Sequence, residues 1–219
     1  MSDSPATIML VDDHPLLRKG LKQLISLADN LTVIAECSNG ADALIKAEEL
    51  DPDLIILDLN MQGMDGIEAL KRMRDQGVTS RIVMLTVSDA DEDVVAAITH
   101  GADGYLLKDM DPELLLEQIV RAIEGKMVLS EAITEVLATA LRRPSAPTAS
   151  KLDTLTNRER EILELIAKGM SNKLIARELD ISDGTVKVHV KHLLKKLGLR
   201  SRVEAAVWMV NQEQLTDKN

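Results

Sequence analysis

The chain has 219 residues, of which 45% are hydrophobic and 28% charged, a balance that excludes a disordered or collagen-like protein. Its net charge of −10 is unevenly spread, because residues 1–140 carry 26 Asp and Glu against 11 Lys and Arg, whereas residues 141–219 carry 10 against 15. We therefore expect two domains, an acidic one followed by a basic one.

Short apolar runs alternate with stretches of helical periodicity in the first 125 residues. The runs predict strands at residues 7–11, 31–36, 54–57, 81–85 and 104–107. The periodic stretches predict helices at residues 15–28, 40–50, 65–76, 91–100 and 111–125. Such alternation indicates an α/β domain with a parallel sheet, and the uninterrupted apolar runs IMLV and LIIL suit strands covered on both faces. We expect a five-stranded doubly wound parallel sheet with its ligand site at the carboxyl ends of the strands.

The remainder of the chain has a different organisation. Residues 130–142 predict one more helix, and RRPSAPTASK at residues 142–151 interrupts all periodicity, as a semi-extended linker does. Four short helical segments follow, which indicates a small all-α domain. Their start signals are a capping-box pattern at Thr156 and Glu159 and serines at positions 171, 182 and 201. The expected domains are therefore residues 1–129 and 152–219, joined by residues 130–151.

Composition and the chain start limit the functional classes further. No apolar run approaches the ~20 residues of a spanning helix, and MSDSPATIML lacks the regions of a signal peptide. The single cysteine, Cys37, excludes an internal disulfide and a metal site made of cysteines. Aromatic residues make up 1% of the chain, which argues against a site that stacks bases on rings. We expect a cytoplasmic protein.

Acidic and polar residues follow four of the five predicted strands. Asp12 and Asp13 follow the first strand, Asp58 the third, Thr86 the fourth and Lys108 the fifth. Because the carboxyl ends of parallel strands meet at one edge, these side chains should lie together. Clustered carboxylates suit Mg²⁺, and an ionised Asp58 can attack phosphorus without a general base while the amine and hydroxyl stabilise phosphoryl oxygens.

These residues, with the stretches LIILDLNMQGMDG and GADGYLLKDMD, resemble the receiver domain of bacterial two-component response regulators. The resemblance implies that Asp58 accepts a phosphoryl group from a histidine kinase, and that the regulator is not an enzyme. It further implies a role for each of six other residues: Asp12, Asp13 and the backbone carbonyl of Asn60 as Mg²⁺ ligands with Asp58, Lys108 as the phosphoryl partner, and Thr86 and Tyr105 as switch residues. Departures at Gln62 and Asp109, where many receivers have proline, affect loop shape. We expect no role in the site for His14, because phosphoryl transfer to a carboxylate needs no imidazole.

A basic face characterises the predicted helix after Ser182. An apolar stripe recurs at Val186, Val190, Leu193 and Leu197, while lysines at positions 187, 191 and 195 lie opposite. Lys191 and Lys195 have no acid four residues away, so their charge is not neutralised within the helix. A shorter helix precedes across a three-residue break, as in a helix-turn-helix, and this face suits a DNA major groove.

The stretch LTNREREILELIAKGMSNKLIARELDISDGTVKVHVKHLLKKLGLRSRVEAA resembles the four-helix LuxR-type DNA-binding domain. The resemblance implies base contacts by Lys187, Val188 and Lys191, and backbone contacts by Asn172, Lys173, Thr185, His192 and Lys195. It implies a dimer on DNA through the last helix, by way of Val203, Ala206, Val207 and Val210, although that stripe could equally pack on its own domain.

Both halves together are similar to the NarL/FixJ subfamily of response regulators, and within it to members that respond to nitrate and nitrite. This resemblance implies a membrane-bound, nitrate- or nitrite-sensing kinase as partner and promoters of respiratory genes as targets. We expect the acidic domain to mask the lysine face until Asp58 is phosphorylated. Three alternatives remain: a phosphatase or phosphotransferase, which Asn60 disfavours because that position would need a second acid; a ligand-sensing LuxR-type regulator; and a receiver acting only by protein contact.

Overall fold

The computed structural model describes residues 5–88, 90–126, 128–129, 152 and 154–216. Most of the first domain is a parallel sheet, with strands β1 (Ala6–Val11), β2 (Leu31–Cys37), β3 (Leu54–Leu57), β4 (Arg81–Thr86), β5 (Gly104–Leu107) and β6 (Val128–Leu129). They are ordered β2-β1-β3-β4-β5-β6, and every paired neighbour is parallel. The central strand β3 is buried along its whole length, as its apolar sequence LIIL requires.

Five helices cover the two faces of this sheet: α1 (Pro15–Ile25), α2 (Gly40–Leu50), α3 (Gly66–Asp75), α4 (Asp91–Thr99) and α5 (Pro112–Glu124). Each face has its own apolar cluster, one around Met9, Leu57 and Leu70 and the other around Ile8, Leu54 and Ile119. Asn39 and Asp65 start α2 and α3 by accepting hydrogen bonds from backbone N–H groups three residues later. The sheet is thereby fixed with only its strand ends open to polar chemistry.

The second domain consists of α6 (Asn157–Ala167), α7 (Asn172–Glu178), α8 (Asp183–Leu197) and α9 (Arg202–Thr216). Its own core includes Ile162, Ile175, Val190, Leu193 and Ala205. In the described part of the chain, none of the helices combines the length and apolarity needed to cross a bilayer.

The predicted fold class is confirmed, and the five predicted strands are all present with ends shifted by at most one residue. The structure adds β6, which pairs with β5 at the sheet edge and is too short, at two residues, to leave a pattern. The capping box of Thr156 and Glu159 is confirmed, and Ser171, Ser182 and Ser201 each accept a hydrogen bond from a backbone N–H three residues later. The predicted helix at residues 130–142 and the linker at 142–151 lie outside the described residues.

Candidate functional site

The predicted acidic site forms one buried pocket at the carboxyl ends of the strands. We use the name acid pocket for Asp12, Asp13, Asp58, Thr86 and Lys108. Asp58 is 1% exposed, Asp12 3% and Thr86 0%, because each lies at or directly beyond the end of a central strand. The structure therefore brings together the residues that the strand-end pattern selected.

Lys108 lies between the two buried carboxylates. Its Nζ is 2.7 Å from Asp12 Oδ2 and 2.8 Å from Asp58 Oδ2. Burial raises the pKa of Asp58, the hydrogen bond and charge of Lys108 lower it, and the charge of Asp12 raises it, with a raised pKa as the balance. The ammonium thus offsets part of the cost of placing two carboxylates in one buried site.

The donor set of the acid pocket fits a hard divalent cation. Ligand atoms of Asp12, Asp13, His14 and Asp58 lie within 4.8 Å of one another. Asp13 Oδ1 is buried and faces His14 Nδ1 at 2.8 Å. Carboxylate oxygens at this spacing are the ligands that Mg²⁺ prefers. Asn60 N donates to Asp58 Oδ1 at 3.3 Å, and the ligand role of its carbonyl stays a prediction.

His14, which is not among the predicted site residues, lies beside the carboxylates. Its Nδ1 is 2.8 Å from Asp13 Oδ1 and 3.2 Å from Asp12 Oδ1, and its side chain is 68% exposed. Its backbone N–H donates to Asp12 Oδ1 at 2.7 Å. The prediction that it has no part in the chemistry stays a prediction.

The two predicted switch residues, Thr86 and Tyr105, meet at a third residue that the sequence did not single out. Ser88 N donates to Thr86 Oγ1 at 3.1 Å, and Tyr105 OH donates to the carbonyl of Ser88 at 3.0 Å. Ser88 Oγ in turn donates to Asp93 Oδ2 at 2.5 Å, at the start of α4. Ser88 therefore links the Thr86 hydroxyl to the Tyr105 hydroxyl and to the start of α4.

The basic helix α8 has the predicted division into two faces. Val186, Val190, Leu193 and Leu197 are buried, while Val188 is 52% exposed and Lys191 and Lys195 are also exposed. Thr185 and His192 are exposed as well, on the surface around the lysines. The helix is thus amphipathic, with its cationic face turned away from its own core.

Part of this cationic surface contacts the receiver, at the strand ends opposite the acid pocket. Lys187 Nζ donates to the carbonyl of Asp51 at 2.7 Å and lies 3.2 Å from Asp51 Oδ2. Lys173 Nζ donates to the carbonyl of Pro5 at 3.0 Å and lies 3.7 Å from Asp53 Oδ2. These contacts occupy amine groups that the sequence assigns to DNA.

The same contact continues along α8. A Cβ on Gly77 would lie 2.9 Å from Cε of Lys191, so the aliphatic part of this lysine packs on the receiver backbone. We use the name docking edge for the receiver residues Pro5, Asp51, Asp53 and Gly77. Three of the eight predicted DNA-contact residues, Lys173, Lys187 and Lys191, meet this docking edge.

The remaining predicted residues lie around the domain contact. Asn172 Oδ1 accepts a hydrogen bond from Arg202 Nη1 at 2.9 Å. Val203, Ala206 and Val207 of the proposed dimer stripe border a cleft of about 200 Å³ that also includes Gly125 of the receiver. Val210 lies in α9, and its side chain is outside the described part of the structure. The dimer stripe and the lysine face are thus both next to the receiver.

Both domains of the chain match families of known proteins. Residues 8–120 match the response regulator receiver domain, and residues 153–209 match the bacterial regulatory proteins of the luxR family. The nitrate/nitrite response regulator protein NarL of Escherichia coli (strain K12) is 58% identical, over 98% of this chain and 99% of that protein. A nitrate/nitrite response regulator protein homolog of Haemophilus influenzae is 48% identical, over 94% of this chain and 97% of that protein.

A solved structure is similar over nearly the whole chain. The response regulator ChrA of a heme-sensing two-component system has 33% sequence identity and a TM-score of 0.51, and the match covers 96% of this chain and 98% of that one. The resemblance seen in the sequence is confirmed. The chain belongs to the two-component response regulators, in which a receiver domain is joined to a LuxR-type DNA-binding domain.

Proposed function

We propose that this chain is a transcription regulator whose DNA-binding helix is masked by the receiver until a sensor histidine kinase phosphorylates Asp58. The observation that carries the proposal is the placement of Lys187. This lysine, in the middle of the predicted DNA-contact residues, is 15% exposed and contacts Asp51, in the loop before β3, while Asp58 directly follows the same strand.

The acid pocket is suited to accepting a phosphoryl group. A carboxylate oxygen of Asp58 attacks the phosphorus of a phosphohistidine, the new P–O bond forms, and the P–N bond breaks with its electron pair returning to the imidazole. Lys108, already 2.8 Å from Asp58 Oδ2, neutralises charge on the transferring oxygens, and the Thr86 hydroxyl donates to one of them. Bound Mg²⁺, held by Asp12, Asp13, Asp58 and the Asn60 carbonyl, would neutralise further phosphoryl charge.

The acid pocket and the docking edge lie at opposite ends of the same short strands. Asp53 and Asp58 flank β3 and are five residues apart, which is about 16 Å of extended chain. Phosphorylation adds charge beside Lys108 and draws the Thr86 hydroxyl inward, which moves Ser88, Tyr105 and α4. Only a difference in binding between two receiver states can release the output domain. The phosphorylated receiver must therefore bind the output domain less tightly at its docking edge than the unphosphorylated receiver does.

The DNA partner follows from the same surface. Once released, Lys187, Val188 and Lys191 would face base edges, and Asn172, Lys173, Thr185, His192 and Lys195 would contact phosphates. The stripe of Val203, Ala206, Val207 and Val210 would then form a homodimer on two half-sites. The identity of 58% to a nitrate/nitrite response regulator supports a membrane kinase sensing nitrate or nitrite and respiratory genes as targets.

Substitution of the phosphoacceptor tests the switch. Asp58→Asn should abolish phosphoryl uptake from acetyl phosphate and keep the resting affinity for promoter DNA, because the amide preserves shape but removes the nucleophile. Intact mass and gel shift with the full chain measure both. Asp75→Asn, on the exposed end of α3, is the matched control and should respond as the wild type does. Tighter DNA binding by the Asp58→Asn protein after donor treatment would refute the assignment.

Salt dependence tests the basic face. Lys191→Ala should weaken DNA binding and reduce the slope of log affinity against log salt by about one unit, since one phosphate or base contact is lost. Lys168→Ala, an exposed lysine at the end of α6, is the control and should leave the slope unchanged. An unchanged slope for Lys191→Ala would remove this residue from the DNA interface.

A further inference from the structure

The two domains enclose a small cationic cleft where α7 and α9 face the docking edge. The cleft has a volume of about 30 Å³, is partly open to solvent, and has room for about two water molecules. Four cationic residues line it, Arg81, Lys173, Lys187 and Arg202, against one carboxylate, Asp53. Arg81 comes from the receiver and Arg202 from the output domain, and both are buried. The cleft therefore concentrates positive charge where the two domains meet.

Two polar groups of the receiver wall are buried without a hydrogen-bond partner. Arg81 is 5% exposed and its Nη1 is unpartnered, and Ser80, also 5% exposed, has an unpartnered Oγ. Both residues line the cleft. A buried donor without a partner destabilises the structure, and more so if the donor is charged. A ligand that accepts hydrogen bonds would remove that cost.

The output-domain wall contributes a second buried guanidinium. Arg202 is 6% exposed, and its Nη1 and Nη2 donate to Asn172 Oδ1 and to the carbonyl of Met170. Burial, followed by the like charge of Arg81, lowers the pKa of Arg202 well below its usual value. The two guanidinium groups therefore repel each other across the domain contact.

The acids near the cleft do not cancel this charge at the Arg81 wall. Asp103 Oδ2 is held by Arg74 Nη2 at 2.7 Å and by the backbone N–H of Ile82 at 2.9 Å. Asp53 Oδ2 accepts from the backbone N–H and hydroxyl of Thr7 at 2.9 and 3.0 Å. Asp53 also lies 3.7 Å from Lys173 Nζ and 3.8 Å from Lys187 Nζ and offsets part of their charge, but four cations line the cleft against this one carboxylate.

We propose that this cleft binds a small inorganic oxyanion of the phosphate and sulfate class, and that the bound anion holds the two domains together. Ser80 and Arg81 would donate to it from the receiver, with Arg202 and Lys173 supplying charge from the output domain. A volume that holds about two water molecules suits one small ion, so inorganic phosphate or sulfate is the ligand class that fits the cleft.

The anion deepens the proposed function, on which this regulatory consequence rests. Asn172, Lys173 and Lys187 are predicted DNA contacts and also line the cleft. An anion that binds only the docked form multiplies the equilibrium constant for docking by 1 + [anion]/Kd. It therefore competes with DNA through the equilibrium between docked and released domains.

Titration of the full chain with inorganic phosphate tests the site without DNA. At ten times its Kd, phosphate should raise the midpoint of thermal unfolding by about 3 to 6 °C above a chloride control of equal ionic strength. Calorimetry should give one site per chain, and sulfate should compete for it. A shift no larger than that of chloride, or a non-saturable one, overturns the proposal.

Variants locate the bound ion. Arg81→Gln should abolish the phosphate-specific shift, and Arg81→Lys should retain part of it. If Arg81→Gln does not fold, Lys173→Ala against the control Lys168→Ala decides the matter, because only the first lysine lines the cleft and should lower phosphate affinity about tenfold. Retention of full phosphate affinity by Lys173→Ala and by a folded Arg81→Gln protein refutes the site.

A gel shift separates this proposal from the proposed function. In chloride buffer, phosphodonor-dependent DNA binding reports the proposed function alone. Phosphate at ten times its Kd should lower the DNA affinity of the unphosphorylated protein about tenfold beyond the chloride control. Binding of phosphate without this effect overturns the domain-locking step, whereas failure of the donor response in chloride overturns the proposed function.

Discussion

The two ends of the receiver sheet carry similar residues but different kinds of site. At the carboxyl ends, the acid pocket pairs the buried Asp58 with Lys108, which is 11% exposed, within one domain. At the amino ends, the docking edge offers Asp51 and Asp53 to lysines of the other domain. An ion pair in a buried pocket is suited to chemistry, while a partly exposed pair is weak enough to be broken by a signal.

This difference extends to the structure beneath each end. Below the docking edge, Arg74 is buried and donates to the carbonyls of Gly101, Val78 and Ser80 and to Asp103. These bonds tie together the loops before β4 and β5, of which the first contains Gly77 of the docking edge. The output domain has an apolar core of its own.

The largest expected effect comes from Lys108, at the acid pocket. Lys108→Ala removes the cation between Asp12 and Asp58, and phosphorylation of Asp58 by acetyl phosphate should slow about 100-fold, as with loss of a preorganised charge-stabilising group. Intact mass against time measures the rate. Lys126→Ala, which removes an exposed ion pair with Glu124, should leave the rate unchanged. A rate within threefold of wild type would contradict the role of Lys108.

The acid pocket could be predicted from sequence because its geometry follows from one rule. In a parallel sheet, residues directly after the strands meet at one edge, so Asp12, Asp58, Thr86 and Lys108 were placed together by strand assignment alone. Ser88 escaped notice because its role depends on a loop conformation two residues beyond β4, which no periodicity encodes. The chemistry predicted from sequence gave His14 no role, and its exposed ring reaches the carboxylates through local backbone geometry.

The docking edge could be anticipated only as a charge asymmetry. The sequence contrasts an acidic receiver with a basic tail, yet Lys187 and Asp51 are 136 residues apart and meet through the relative placement of two domains. Arg202 lines the interdomain cleft, but the sequence indicates only that it is the first residue of a surface helix. Long-range contacts of this kind depend on how the two domains are connected. For that connection the sequence predicts only a semi-extended linker.

A medium effect is expected inside the output domain, away from both ends of the sheet. Glu159 is buried and accepts hydrogen bonds from Lys196 Nζ at 2.6 Å and Thr156 N at 2.8 Å. Burial alone would raise the pKa of Glu159, but these hydrogen bonds and the Lys196 charge outweigh it, and the pKa is lowered. Glu159→Gln should cost about 1 kcal/mol of stability near neutral pH, because the charged partner of Lys196 is lost.

The sign of the pH dependence follows from that lowered pKa. Stability from ionised Glu159 is present above the ordinary glutamate pKa of about 4.3 and is lost as pH falls through the lower folded-state value. The difference between wild type and Glu159→Gln in denaturant unfolding should therefore shrink on acidification. Glu161→Gln, in an exposed pair with Arg158, is the control and should change stability by less than about 0.5 kcal/mol. A difference that grows on acidification would contradict the lowered pKa.

The smallest effect, on the docking edge itself, bears most directly on masking. Asp51 has a φ of 41°, in the left-handed region that asparagine also tolerates, so Asp51→Asn should preserve the loop. The carbonyl of residue 51 still accepts from Lys187, and only the charge 3.2 Å from the amine is lost. Since the carboxylate is half exposed, we expect DNA affinity of the unphosphorylated protein to rise only about threefold.

Phosphorylation should erase this difference, because a released output domain no longer contacts residue 51. Gel shifts of wild type and Asp51→Asn with and without acetyl phosphate, beside the exposed control Glu49→Gln, therefore compare the docked and free states directly. Equal affinities before phosphorylation, or a rise that persists unchanged after it, would separate Lys187 from masking. A rise confined to the resting state would make the docking edge the point at which the signal from Asp58 acts.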